Sequence, residues 1–369
     1  YAAGSGSAAD GMKYCLQAAQ AAVQQPAVNE AREYIKMARE CANVAGLDED
    51  GQDFITLECH LAHISGEHRA EMAQKCMDYL EIETNPTPEF LMIAARSCYD
   101  GAMDQRDQSL FAKAVELGEQ LVNHPQAKPT DQADGFHFIG LSLPPTEADQ
   151  RKQNLSRAFD LLTDFDTEDI PAQALLARIA NSFALQLERE DPAKASRLYQ
   201  QSVDIKNRPE LRDINGLAIS HNGLGRIHIF GQPPNPAQAR YHFEISLEFA
   251  ERIGSAIGIC KSSSFLGMCA KTEEKHDDAV EYYQRSYDYA QGSFDRGFAA
   301  AGLLESLCNV QDLERMNEFG PLFLAQVTTD GEVPGPTISA ITGALDRCQE
   351  HSSADWLTEL RSMIPETEA

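Results

Sequence analysis

Apolar residues recur about every three to four positions along most of this chain, in runs of helical length. No stretch alternates apolar and polar residues long enough to demand a strand, and runs of Val and Ile are few. Between Lys275 and Tyr287, small Ala279, then Tyr283, then Ser286 and Tyr287 fall on one helical face. Segments rich in Pro, Gly, Asn and Asp interrupt the runs at Gln25-Pro26, Leu47 to Gly51, Asn85 to Pro88, Asn123 to Pro129, Leu143 to Pro145, Asn207 to Pro209, Gly231 to Pro236 and Gly331 to Pro336. They leave about eighteen helical segments, or about nine helical hairpins. Pro192, Pro209 and Pro236 fall near predicted helix starts, where a missing N–H costs nothing.

Part of this pattern repeats. Leu224-Gly225, Ala239, Phe243 and Ser246-Leu247 are followed by Leu266-Gly267, Ala270, Ala279, Tyr283 and Ser286-Tyr287, with the Leu-Gly pairs 42 residues apart. Upstream, Ile179-Ala180, Phe183, Ala195, Tyr199, Ser202 and Val203 follow the same logic with Ala for Gly. Downstream, Leu303-Leu304, Leu307, Met316 and Phe319 form a degenerate copy. Self-similarity at this period means stacked helix pairs, each burying its apolar face on its neighbours.

These residues resemble the tetratricopeptide repeat family, in which Leu-Gly on a first helix meets a small residue, an aromatic and a second small residue on the next. The resemblance is clearest over residues 219–291, moderate over 173–205 and weak elsewhere. Its longer period is similar to variants that extend the usual unit of about 34 residues. It implies an all-α fold: an α-solenoid of stacked antiparallel helical hairpins in a right-handed superhelix. Ala94-Ala95-Arg96-Ser97-Cys98-Tyr99 and Phe138-Ile139-Gly140 look like remnants of first helices, and Ala31 to Ala38 like a second. The expected organisation is a linker or cloning scar over 1–8, degenerate N-terminal repeats over 9–150, tetratricopeptide-like repeats over 151–330 and C-terminal capping helices over 331–369. A separate helical domain ending between residues 125 and 150 is the competing division.

Charge narrows the partners. The formal net charge is −26, from 57 acidic and 31 basic residues, and both halves of the chain are acidic. Such a surface repels phosphate backbones and anionic lipid, so neither direct nucleic-acid nor membrane binding is expected. No window approaches the roughly 20 apolar residues of a membrane span. Nine cysteines without a CxxC pair point to reduced, buried thiols and a cytoplasmic location. The opening Tyr1-Ala2-Ala3-Gly4-Ser5-Gly6-Ser7 points to a piece of a longer polypeptide.

Candidate chemistry is sparse. Cys59 and His63 share a helix face, with His68 and Cys76 further on, but no second ligand pair lies nearby, so packed thiols and surface histidines are the expectation. Gly46 to Gly51 brushes against a calcium-binding loop, but Gly46 stands where the first ligand belongs and Leu57 where the bidentate Glu does. No nucleophile-elbow, zinc-protease or phosphate-loop motif occurs. No cofactor, no metal and no catalytic residue are predicted.

The resemblance also implies which first-helix positions face the inner groove. Counted from Gly225 they include Asn222, Arg226, Ile229 and Phe230; from Gly267, Lys261, Phe265, Met268 and Lys271; from Ala180, Arg178 and Asn181. In an acidic chain these are basic, amide-bearing or apolar, a set suited to a peptide's backbone, carboxylates and apolar anchors. The candidate partner-binding residues are therefore Arg178, Asn181, Asn222, Arg226, Lys261, Phe265, Met268 and Lys271. The functional expectation is a non-catalytic interaction scaffold or sensor arm holding a protein or peptide ligand. The alternative is a regulatory segment that folds back on an enzymatic domain of its own polypeptide. A helical enzyme built on Cys59 and His63 is a third.

Overall fold

The computed structural model describes residues 5–24, 27–48, 51–211, 213–330, 343, 346, 348 and 355–362. Among them are seventeen α-helices, one short 3-10 turn and no strand. The chain divides into two compact units, Tyr1–Gln186 and Leu187–Ala369.

In the first unit α1 (Ser5–Gln24) packs on α2 (Val28–Ala45), α3 (Gln52–Ser65) on α4 (Arg69–Ile82), α5 (Pro88–Gln105) on α6 (Gln108–Asn123) and α7 (Pro129–Ser142) on α8 (Ala148–Asp160), followed by α9 (Ile170–Leu187). In the second, α10 (Pro192–Lys206) precedes three hairpins: α11 (Ile214–Phe230) with α12 (Pro236–Arg252), α13 (Ala256–Thr272) with α14 (His276–Tyr289), and α15 (Ser293–Asn309) with α16 (Leu313–Asp330). A last helix, α17 (Asp355–Ser362), lies against α16. Successive first helices also touch, α3 on α5 on α7 and α11 on α13 on α15, so each unit has one face built from first helices alone.

The repeat columns explain this stacking. Ala195, Ala239 and Ala279 are all 0% exposed, and the aromatics one turn later, Tyr199, Phe243 and Tyr283, are at most 2% exposed. Each such ring contributes about 1.5–3 kcal/mol of burial. The rings fit because the facing helix has no side chain there: a Cβ on Gly225 would lie 2.5 Å from Cε1 of Phe243, and one on Gly267 2.9 Å from the Tyr283 ring. The following serines are buried and satisfied. Ser246 donates to the Ala218 carbonyl at 2.8 Å and meets Ser262 at 2.9 Å; Ser286 donates to the Cys260 carbonyl at 2.9 Å.

Helix starts are set by polar caps. Asp191 and Asn235 accept from Lys194 and Gln238 backbone N–H groups, with Pro192 and Pro236 at the first helical position. Pro209 instead sits in the turn before α11. Glu49 and Asp50 of the acidic turn, the Gln25-Pro26 break, the Gly331–Pro336 break and most of the expected capping region lie outside the described residues.

One sequence expectation is corrected. Cys308 of α15 and Cys348 are joined by a disulfide, with Cα atoms 5.6 Å apart, while the other seven cysteines are free. Helical periodicity places a cysteine on a buried face but says nothing about a partner returning from 40 residues away.

Candidate partner-binding face

In the second unit, three of the predicted residues, Asn222, Arg226 and Lys271, make polar contacts within the fold. Arg226 projects from α11 toward Glu188, in the turn leading to α10. Its Nη2 donates to Glu188 Oε1 at 2.6 Å, and its Nε to both carboxylate oxygens at 3.2 Å. Nη1 donates to Asn222 Oδ1 at 2.6 Å and Nη2 to the Tyr199 hydroxyl at 3.1 Å, while that hydroxyl donates to Glu188 at 2.6 Å. Burial, helped by Glu188, pushes the Tyr199 phenol up, so it remains a donor. On α13, Lys271 pairs with Glu305 of α15 at 2.7 Å.

The apolar members pack. Phe265 stacks on Phe243 with centroids 4.9 Å apart and meets the exposed Phe230 edge-on at 6.2 Å. Met268 lies against the same core. Lys261, one turn before Phe265, is exposed, and among the described residues no carboxylate pairs with it. Exposed Lys261 and Phe230 with half-buried Phe265 thus form the accessible part of this set.

The first unit holds the other two predicted residues. Arg178 of α9 pairs with Asp134 of α7 at 2.9 Å, and Asn181 is buried. Around them the first helices gather more titratable groups than the sequence reading named. His63 of α3 meets Asp100 of α5 at 2.6 Å, and His137 of α7 meets Ser182 of α9 through Nε2 at 2.9 Å. His137 is 2% exposed and its Nδ1 finds no partner among the described residues.

Between these pairs lies Arg96 of α5, whose hydrogen bond among the described residues is from Nη2 to the Met92 thioether at 3.2 Å. Burial, then the charge of Arg178, draws its guanidinium down, with Asp134 and Asp100 opposing. Burial, then Arg96, holds His60 down at about 4, and burial pushes the Asp134 carboxyl up. A guanidinium bonded to one weak acceptor keeps most of its five donors for another group, and a carboxylate is the geometry those donors match. Sequence reasoning passed over Arg96 although it had a signal. It follows small, fully buried Ala95 as Arg226 follows Gly225 and Asn181 follows Ala180.

The Cys59 and His63 cluster is divided in the structure. Cys76 does return from α4, placing its sulfur 3.4 Å from that of Cys59, but His63 turns to Asp100 and exposed His68 to Glu71. Among the described residues no three His, Cys, Asp or Glu side chains converge to hold a metal ion.

No protein-family model matches the chain, and no curated protein matches it in sequence. Solved structures do. A Rap protein complexed with Competence and Sporulation Factor is similar at a TM-score of 0.60 and 13% identity, over 96% of this chain and 97% of that one. A signal transduction ATPase with numerous domains carrying a tetratricopeptide repeat sensor, from Pyrococcus horikoshii, is similar at 0.64 and 13%, over 94% of this chain and 52% of that one. Aspartyl phosphate phosphatase F from Bacillus subtilis is similar at 0.53 and 10%, over 96% and 92%. At these identities the likeness shows the fold, a tetratricopeptide-like stack of helical hairpins.

Proposed function

We propose that this chain is a non-catalytic scaffold or sensor of the tetratricopeptide repeat family that receives a peptide or protein on the faces built from first helices. The observation that carries the reading is the contrast among its cations. Arg178, Arg226 and Lys271 each pair with a carboxylate of their own chain, whereas Arg96, with Asp134 and Asp100 acting on it only through their charge, hydrogen-bonds among the described residues to the Met92 thioether. On the face of the first unit a partner carboxylate at Arg96, and on the face of the second, taken by itself, apolar side chains against Phe230 and Phe265 with an acid at Lys261, use groups that each unit leaves available. In this reading the predicted set splits: Arg178, Asn181, Asn222, Arg226 and Lys271 shape the faces, and Lys261, Phe265 and Met268 meet the partner.

Two neighbours support it. One is a Rap protein bound to a factor, and the other carries a repeat sensor beside further domains. The second supports the alternative in which the partner is an enzymatic domain of the same polypeptide. We assign residues 151–330 as tetratricopeptide-like repeats and 9–150 as degenerate repeats whose first helices also form a face. The net charge of −26 argues against nucleic acid and anionic membrane as partners, and no described helix is long and apolar enough to cross a membrane. The seven free thiols favour the cytoplasm, and the Cys308–Cys348 disulfide weighs against it.

The test is selection from a displayed library of random peptides, followed by titration of the enriched peptide. Wild type is expected to enrich acid-bearing peptides whose affinity falls about tenfold or more with Arg96→Met, the loss of a charge-assisted bidentate pair. Enrichment of nothing, or of peptides indifferent to Arg96→Met, overturns the assignment.

A further inference from the structure

Five of the seven free cysteines sit in buried positions, as small apolar side chains often do, but two of those five touch each other. Cys59 on α3 and Cys76 on α4 are 4% and 0% exposed, with sulfurs 3.4 Å apart. In the preceding hairpin Cys41 of α2 also lies against α1, where a Cβ on Gly11 would be 3.1 Å from its sulfur, and burial, then nearby Cys41, pushes the Cys15 thiol up. Elsewhere the chain already closes one such pair, Cys308 with Cys348.

We propose that Cys59 and Cys76 are a dithiol site that closes as a second disulfide, tying α3 to α4, when the protein meets a small-molecule disulfide of the glutathione class. The sulfurs, 3.4 Å apart, need to approach by about 1.4 Å to reach the bond length of ~2.05 Å. A metal does not compete for them, since His63 is held by Asp100 and no third ligand converges among the described residues.

The sulfurs differ in their chemistry. The hydrogen bond from Cys76, opposed by burial and aided by Ser97, draws the Cys59 thiol down, and the same bond together with burial pushes Cys76 up. Cys59, at 4% exposed against 0% for Cys76 the more accessible of the two, is the attacking thiolate. It gives its proton to solvent and displaces one glutathione thiolate from oxidised glutathione, forming a mixed disulfide. Cys76 then loses its proton, attacks the Cys59 sulfur and displaces the second. Two protein thiols become one disulfide, one oxidised glutathione becomes two reduced molecules, and the two protons end on those products. Reducing conditions keep the pair open, and oxidising conditions lock the hairpin beside His60 and His63, on the face where Arg96 lies.

The test equilibrates reduced protein at graded ratios of reduced to oxidised glutathione, in urea below the unfolding midpoint so that transient opening admits the reagent. Free thiols are then alkylated and a non-reduced digest is mapped by mass spectrometry. The expected product is a Cys59–Cys76 linked peptide lighter by two hydrogens, with Cys98, Cys260 and Cys269 alkylated. The link should form at ratios about tenfold more reducing than in urea above the midpoint, because folding holds the sulfurs together. Alkylation of both Cys59 and Cys76 throughout, equal ratios below and above the midpoint, or linkage of Cys59 to Cys98 overturns the proposal. Cys98→Ala removes the nearby competitor and must leave the Cys59–Cys76 link in place.

Discussion

Replacing Glu188 by Gln asks whether Arg226 is a structural or a recognition residue. The two side chains are only 18% and 21% exposed, and the Glu188 carboxylate receives both the guanidinium and the Tyr199 hydroxyl. Gln keeps the shape and one acceptor oxygen but turns an NH2 toward the guanidinium. A hydrogen bond to a charged group is worth about 1.5–3 kcal/mol, and stranding one member of a fully buried pair costs about 3–5 kcal/mol. Partial exposure of this pair reduces the second figure, so Glu188→Gln should destabilise by about 2 kcal/mol. For a compact unit of this size that is a fall of about 4–8 °C in Tm. Arg226→Met should cost a similar amount, since the Glu188 carboxylate, Asn222 Oδ1 and the Tyr199 hydroxyl oxygen then each lose the guanidinium donor. The double variant should lose less than the two singles together, because no charge is left stranded; a coupling of at least about 1 kcal/mol is expected. Urea unfolding followed by helical circular dichroism, with m unchanged, gives all three values. Additive losses, or a silent Glu188→Gln, would refute the structural role and return Arg226 to the list of groups open to a partner.

Gly225→Ala drives a Cβ to 2.5 Å from the Phe243 ring and should cost about 1–3 kcal/mol or more by overpacking, whereas Gly254→Ala, at φ +66° with nothing within 4 Å of its Cβ, should cost only about 1 kcal/mol of left-handed strain. Equal losses in chemical denaturation would contradict the packing account. Burial, with Arg96 beside His60, and with His221 and His228 beside His242, holds both His60 and His242 at about 4. The unfolded chain therefore takes up protons first, near pH 6.5, so this stability is whole above about 6.5 and is lost as pH falls toward 4. The loss is at most about 3 kcal/mol for His60 and smaller for His242, which is more exposed and solvent-screened. His60→Gln should narrow its Tm gap to wild type between pH 7 and 4.5, and a gap that stays constant or widens contradicts the sign. Phe243→Ala empties the site of a ring that is 0% exposed and should cost about 3–5 kcal/mol; a loss under 1 kcal/mol in the same melts would show that α11 and α12 do not depend on that column.

What was legible in the chain follows from the range of each interaction. Ala239, Phe243 and Ser246 lie on one helix at i, i+4 and i+7, so their shared burial is written in local spacing, and the same holds for Ala279, Tyr283 and Ser286. The charge at Arg178, Arg226 and Lys271 was equally readable, but its availability was not. Their partners Asp134, Glu188 and Glu305 stand 44, 38 and 34 residues away, on segments that periodicity does not pair. The disulfide of Cys308 escaped for the same reason. A basic position on a first helix is therefore ambiguous in sequence, since the acid that meets it belongs either to this chain or to a ligand. The fold decides by what it brings opposite. At Arg226 it brings Glu188, Asn222 and Tyr199; at Arg96, after an alanine instead of a glycine and in the half where the repeat had faded, the hydrogen bond among the described residues goes to the sulfur of Met92 on the same helix. On the proposed function, recognition lies where the repeat is least regular, because the regular positions are already matched by their own neighbours.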